Sequence, residues 1–337
     1  MKGRPTLKQL MDATQLSRAT IDRALNDRPG VHPRTKHAVA AAIEQLSGRA
    51  PAPSPTRRAG RDMLDFSLIL QAGDAFTDEF TRSASAFARP GVRVKVVRCV
   101  GMSDADVAAT IREEAQHADG IGVTCMNTDA TASALRECMT AGKAVVTMIT
   151  DVDADARHTY VGVNNRAAGQ SAAFLIGRHL QGQASPAVAV VVATFSYTCH
   201  EDREIGFRSL LRQRFPNVNL VEVIKGADSG AATFEATRRF LEAHGELAGI
   251  YNVAGGNEGL AAALREHGLV GRTLYVTHEV NRITEPLLRS EVIDYLLTQD
   301  LPLLVSTTVE QLSAVCETRR AQMQAILPIE TYSKYSL

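Results

Sequence analysis

The chain has 337 residues, enough for two domains, or two and a small module. Its 45% apolar and 22% charged composition is that of a globular protein and excludes a largely disordered chain. Net charge is zero, but residues 1–61 carry twelve Lys or Arg against four Asp or Glu, and the remainder carries 25 against 33. A compact segment of net charge +8 on a mildly acidic body points to a nucleic-acid partner or to a basic, solvated leader.

In chain order, Leu7, Leu10, Met11 and Ala13 repeat at helical spacing behind Thr6, a good N-cap. Ser17 caps a second short helix whose apolar face is Ile21, Ala24 and Leu25. Asn26-Asp27-Arg28-Pro29-Gly30 breaks the chain. A third helix runs from Pro33 through Ala38, Val39, Ala42, Ile43 and Leu46. Three short helices, the first two joined by a tight turn, make a helix-turn-helix pattern. Its second helix carries Arg18 and Arg23 away from the core side, as major-groove readers are carried. No aromatic residue precedes Phe66, so the segment is a poor stacking platform for single strands, and duplex DNA is the expected partner.

Residues Pro5–Leu10, Leu16–Asn26 and Pro29–Thr35 resemble the DNA-binding domain of the lactose/galactose repressor (LacI/GalR) family. The resemblance covers nearly all of residues 4–48. It implies that Arg18, Ala19 and Arg23 read bases and that Thr6, Ser17, Thr20, Asn26 and Thr35 hold phosphates. Asp22 stands where the family has a serine, which implies an operator unlike its commonest half-site. The following stretch departs from the family. Pro51, Pro53 and Pro55 exclude a regular helix, and no leucine lies between Leu46 and Leu64. Residues 49–63 therefore read either as a solvated Pro/Arg-rich linker or as an arm whose Arg57, Arg58 and Arg61 follow the phosphates.

From Leu64 the pattern alternates. Strands are expected at 65–70, 93–98, 119–124, 144–149, 158–163, 187–193, 220–225, 249–253, 273–277 and 292–297. Helices are expected at 104–117, 130–141, 165–180, 203–213, 230–243, 257–267 and 301–325. This is an α/β body of two doubly wound parallel sheets, following a small all-α head. Ligands of such sheets bind beyond the strands' carboxyl ends. The body resembles the periplasmic-binding-protein-like sensor of the same family, through Ala72–Phe76, Ala118–Ile121, Val161–Gly169 and Arg203–Phe207. That resemblance implies two lobes, about 64–162 with 300–327 and 163–299 with 328–337, and a sugar-like ligand in the cleft.

Strand ends supply the candidate ligand contacts: Phe76, Thr77, Thr150, Asp151, Asn164 with Asn165, Asp202, Arg203, Asn252, Glu279 with His278, and Gln299. Asp, Asn, Gln and Arg hold sugar hydroxyls in forks, and an aromatic face covers the apolar side of a sugar. His278 and Glu279 depart from the family's Phe-Asp-Asp. The run Cys199-His200-Glu201-Asp202 is read as no metal site, because adjacent residues rarely converge on one ion. Five scattered cysteines without a C-x-x-C pair fit reduced thiols in a cytoplasmic protein. No nucleophile elbow, phosphate loop or zinc-protease motif is present, and no enzyme activity or cofactor is expected. The expectation is a homodimeric, cytoplasmic transcription regulator, a repressor, controlled by a sugar, polyol or inositol. The alternative is a sugar-sensing module without specific DNA recognition.

Overall fold

The computed structural model describes residues 6–14, 16–25, 35, 38, 39, 42, 63–226, 228–319 and 321–337. Asn26, the 49–62 linker and most of the expected third helix lie outside them. Two helices open the chain, α1 (Leu7–Thr14) and α2 (Arg18–Leu25). Thr6 and Gln9 cap α1 reciprocally: Thr6 N–H donates to Gln9 Oε1 at 2.8 Å, and Gln9 N–H to Thr6 Oγ1 at 3.3 Å. Ser17 Oγ accepts the Thr20 N–H at 3.2 Å and so caps α2. Leu10, Ile21, Val39 and Ala42 are buried against one another.

The elements that follow are β1 (Leu64–Leu70), α3 (Asp74–Ala86), β2 (Val92–Arg98), α4 (Asp104–His117), β3 (Gly120–Thr124), α5 (Asp129–Thr140), β4 (Ala144–Met148) and β5 (Thr159–Val163). Next come α6 (Asn165–Leu180), β6 (Ala187–Val192), α7 (Thr198–Arg214), β7 (Asn219–Lys225), α8 (Gly230–His244), β8 (Gly249–Asn252), α9 (Asn257–Glu266), β9 (Leu274–His278) and α10 (Thr284–Arg289). The chain ends with β10 (Tyr295–Thr298), α11 (Leu301–Thr318), β11 (Gln324–Leu327) and β12 (Glu330–Tyr332).

Two compact units result. Among the described residues, the first comprises those up to Gln71, Ser83–Gly162 and Pro302–Ile326, and the second Ala72–Arg82, Val163–Leu301 and Leu327–Leu337. One sheet has the order β11-β5-β4-β3-β1-β2, the other β12-β10-β9-β8-β6-β7. β1 to β5 pair in parallel, as do β6 to β10, while β12 runs antiparallel to β10. Strands covered on both faces need apolar side chains at every position rather than at alternate ones. β6 (AVAVVV) meets this demand, with all residues after the first buried. Val188, Val190 and Val192 face one apolar cluster with Phe207 and Ile176; Ala189 and Val191 face another with Leu260 and Leu264.

Three expectations are corrected. Phe76 and Thr77 lie inside α3 and not at the end of β1, because Asp74 opens a helix shortly after that strand. The helix expected over 301–325 stops at Thr318, and 324–327 is strand β11. The strand expected from 292 begins at Tyr295. Among the described residues no helix is long and apolar enough to cross a membrane.

Candidate functional site

In the second unit, the strand order β8-β6-β7 places consecutive strands β6 and β7 together and sends β8 to the other side of β6. At such a reversal the connections leave in opposite directions and open a crevice at the strands' carboxyl ends. α7 leaves β6 there, and Arg203 lies in its second turn. Two glycines set how closely α7 approaches α6. A Cβ on Gly169 would stand 1.9 Å from Arg203 O, and one on Gly206 would stand 2.2 Å from Arg166 O. Residues 165–169, the helical part of the segment Val161–Gly169, and Arg203–Phe207 are thus the two halves of one close helix crossing.

That crossing seats Arg203 among buried partners. The side chain is 4% exposed. Its Nε donates to Asn165 Oδ1 at 2.8 Å and its Nη1 to Val253 O, just beyond β8, at 2.9 Å. Nη2 faces Glu279 Oε1 at 3.7 Å. Glu279 is the first residue after β9 and takes a left-handed backbone, φ 65°. Its Oε1 accepts from Gln299 Nε2 at 3.2 Å and its Oε2 from Thr298 Oγ1 at 3.1 Å. Burial raises the Glu279 carboxyl above its ordinary value, against the pull of Arg203. Gln299 Oε1 is buried and has no hydrogen-bond partner among the described residues.

Behind this group, Tyr251 Oη and His278 Nε2 share a hydrogen bond of 2.7 Å. Burial, with the charges of Arg203 and His200, holds His278 well below the usual imidazole range. His200 Nδ1 lies 3.1 Å from Thr194 O. Burial lowers His200 to about 4; Asp228 opposes that shift and Arg203 adds to it. Both rings are therefore neutral near pH 7, and Arg203 is the fixed positive charge of the group.

Other expected contacts sit differently. Asn252 is fully buried, and its Nδ2 donates to Gly255 O at 3.0 Å and Asn257 Oδ1 at 2.9 Å. Its two N–H bonds thus shape the β8–α9 turn. Asn164 caps α6 by accepting the Ala167 N–H. Asp202 pairs with Arg166 Nε at 2.9 Å on the α6–α7 surface. Thr77 is buried with its hydroxyl on Gly73 O at 3.0 Å, and half-buried Phe76 stands 6.3 Å from the Phe80 ring.

In the first unit, Thr150 is buried beyond β4. Asp151 accepts from Thr147 Oγ1 at 2.8 Å and pairs in a fork with buried Arg157, whose Nη1 donates to Met323 O. Asp151 therefore holds Arg157 in place within the β4–β5 connection, and Arg157 ties that connection to the segment just ahead of β11. At the N-terminus, Thr6, Ser17 and Arg18 are exposed, Thr20 and Thr35 are half-buried, and Ala19 and Arg23 lie in α2. Sequence reasoning missed Tyr251, Thr298, His200 and the Val253 carbonyl. Only Thr298, next to Gln299, carried a positional signal.

Residues 68–320 match the family model of the periplasmic binding protein domain. No curated protein sequence matches the chain. Among solved structures, an ABC transporter solute-binding protein from Burkholderia graminis in complex with D-arabinose is 23% identical with a TM-score of 0.75, over 83% of this chain and 98% of that one. A glucose-galactose binding protein from Geobacillus stearothermophilus is 18% identical with a TM-score of 0.74, over 82% and 99%. A periplasmic solute-binding protein from Actinobacillus succinogenes with bound D-allose is 15% identical with a TM-score of 0.69, over 81% and 98%. The family model spans three quarters of the chain, and both sheets lie largely within it: this protein belongs to the periplasmic binding protein domain family.

Proposed function

We propose that the protein is a ligand-controlled, sequence-specific DNA-binding regulator, a repressor of the lactose/galactose repressor type, and not an enzyme. Residues 1–48 form its helix-turn-helix head and 49–63 its linker. The two-lobed body binds a small sugar or polyol. It acts in the cytoplasm as a homodimer on a pseudo-palindromic operator. The observation that carries this reading is the junction of two unlike sequences. The family model begins at residue 68, and ahead of it stands a segment of net charge +8 with helix caps at Thr6 and Ser17. A ligand-binding domain alone has no use for such a segment, whereas a duplex has one.

The sugar half rests on the chemistry around Arg203. A guanidinium, a carboxylate and two amides within one buried group present donors and acceptors together, which vicinal hydroxyls require. D-Arabinose and D-allose in two of the structural neighbours favour the same class. Ligand controls the operator through its different affinity for two states of the protein. The second reading, a sugar-binding protein without DNA recognition, is favoured by the transporter neighbours themselves.

Selection of genomic fragments by the full chain, at two salt concentrations and with and without a pool of sugars and polyols, separates the two. A palindromic site that is enriched, lost in an Arg18→Ala/Arg23→Ala variant and altered by the pool supports the regulator. Binding that is independent of sequence at both salts leaves the sugar-binding reading alone.

A further inference from the structure

The group around Gln299 has one feature that sugar binding in general does not explain. Gln299 is 3% exposed. Its Nε2 is held by the Glu279 carboxylate, while its Oε1 meets no donor among the described residues. A buried acceptor left unmade costs about 1–3 kcal/mol, a cost that a ligand donor at Gln299 Oε1 would remove. The two ends of a glutamine amide have nearly the same shape and opposite hydrogen-bonding sense. Which end faces Glu279 therefore depends on whether Glu279 offers an oxygen or an O–H.

We infer that Glu279 and Gln299 form a proton-set selector, in which the ionised carboxylate turns the Gln299 carbonyl toward the ligand and the protonated one turns the amide N–H toward it. In the first state Glu279 Oε1 accepts from Gln299 Nε2, as observed, and Gln299 Oε1 accepts from a ligand hydroxyl. In the second, Glu279 has taken one proton from solvent and donates it to Gln299 Oε1. The amide has rotated by half a turn about its last side-chain bond, and Nε2 now donates to a ligand oxygen. The Thr298 Oγ1 bond to Oε2, present in the first state, needs no change in the second.

The surroundings make the second state accessible. Glu279 is 14% exposed and its only cationic contact among the described residues, Arg203, is at 3.7 Å and shared with Asn165 and Val253 O. The other titratable groups of the cluster are His200 on α7, His278 on the same strand end, Tyr251 on β8, and Asp228 facing His200. Both imidazoles are held neutral, so neither adds a second cation that would fix Glu279 as a carboxylate. The selector deepens the sugar-binding reading and rests on it for the identity of what is selected: a ligand bearing a hydroxyl donor at neutral pH, or an acceptor oxygen at lower pH.

The test is a pH titration of the full-length protein without ligand. The Glu279 carboxyl carbon and the Gln299 side-chain amide are followed by nuclear magnetic resonance from pH 8.5 to pH 5. The expected result is one shared midpoint for both signals, above the ordinary carboxylate value of about 4.3. The Gln299 response should vanish in Glu279→Gln. A Gln299 amide that does not move while Glu279 titrates, a Glu279 that stays ionised throughout, or a Gln299 response that persists in Glu279→Gln each overturns the selector. Calorimetry of the wild-type protein with D-arabinose and D-allose at both ends of the range runs beside it. A shared midpoint with neither sugar bound removes the sugar reading and keeps the selector; sugar binding without a shared midpoint does the reverse.

Discussion

Ile149 and Glu279 occupy the same position in two separately built sheets. Each is the first residue beyond the fourth strand of its unit, each has a left-handed backbone (φ 68° and 65°), and each donates its N–H to the neighbouring strand, to Val161 O at 3.0 Å and to Leu297 O at 2.9 Å. One backbone device is thus used twice, once under a buried aliphatic chain and once under a carboxylate. A left-handed backbone costs an L residue roughly 1–2 kcal/mol, and a β-branched residue is rarely found there.

This inverts a usual order of stability. Truncating buried Ile149 to Ala removes its packing at about 2–5 kcal/mol and keeps the strained backbone. Truncating it to Gly removes one carbon more but releases the strain. Ile149→Gly is expected to be about 1 kcal/mol more stable than Ile149→Ala in urea unfolding. An alanine variant as stable as the glycine one, or more so, would show that the surroundings absorb the strain.

Arg203 and Glu279 should couple strongly. Arg203→Met leaves a buried carboxylate without its cation, which costs about 3–5 kcal/mol. Adding Glu279→Gln removes that orphan, so the double variant should be more stable than Arg203→Met alone. Because burial already raises the Glu279 carboxyl, the cost of Arg203→Met should shrink as pH falls from 7 toward 5 and the carboxylate takes a proton. Additive, pH-independent losses would assign Arg203 to packing alone.

The helix crossing that carries Arg203 can be loosened without touching it. Gly169→Ala and Gly206→Ala each force a Cβ into a backbone carbonyl of the opposite helix, an overpacking of about 1–3 kcal/mol or more. Gly182→Ala, with nothing within 4 Å of the added carbon, is the control and should change stability by less than about 1 kcal/mol. Equal effects at all three glycines would mean that the two helices move apart freely.

What could be read in advance, and what could not, follows from where the signal lies. The uninterrupted apolar run Ala187–Val192 declared a strand buried on both faces, and β6 is one. Arg203 was visible because it opens the segment Arg203–Phe207, one of those that resemble the family's sensor. The end of α11 was not visible. The break comes at Arg319, a non-glycine residue with φ 55° whose Nη1 reaches Gly142 O at 2.7 Å. No residue type there announces it, because the partner is 177 positions away. Likewise Asp151 looks from sequence like a ligand carboxylate, and only the fold brings Arg157 onto it. Tyr251 was read as strand interior, since its bond to His278 requires β8 and β9 to be neighbours.

The buried histidines predict a pH window for stability. His200 is 7% exposed and lowered to about 4 by burial, against an ordinary value of 6.5. A folded value below the unfolded one means that the unfolded chain binds the proton more readily. The neutral ring's contribution is therefore complete above about pH 6.5 and is lost progressively as pH falls toward 4, by on the order of 3 kcal/mol. Exposed carboxylates do not confuse this window. Glu137, pulled down to about 2 by its hydrogen bond with Arg112, loses its contribution only below about pH 4.5. His158, also lowered to about 4 by burial, and His278 act in the same direction as His200, while Glu279, with its raised carboxyl, opposes them. His200→Asn keeps an N–H for Thr194 O and removes the titration. The wild-type protein should lose stability to urea between pH 7 and pH 5, and His200→Asn should lose measurably less over the same interval. Equal losses in the two proteins would mean that His200 takes up its proton in the folded state without penalty, and that the buried group around Arg203 tolerates a second positive charge.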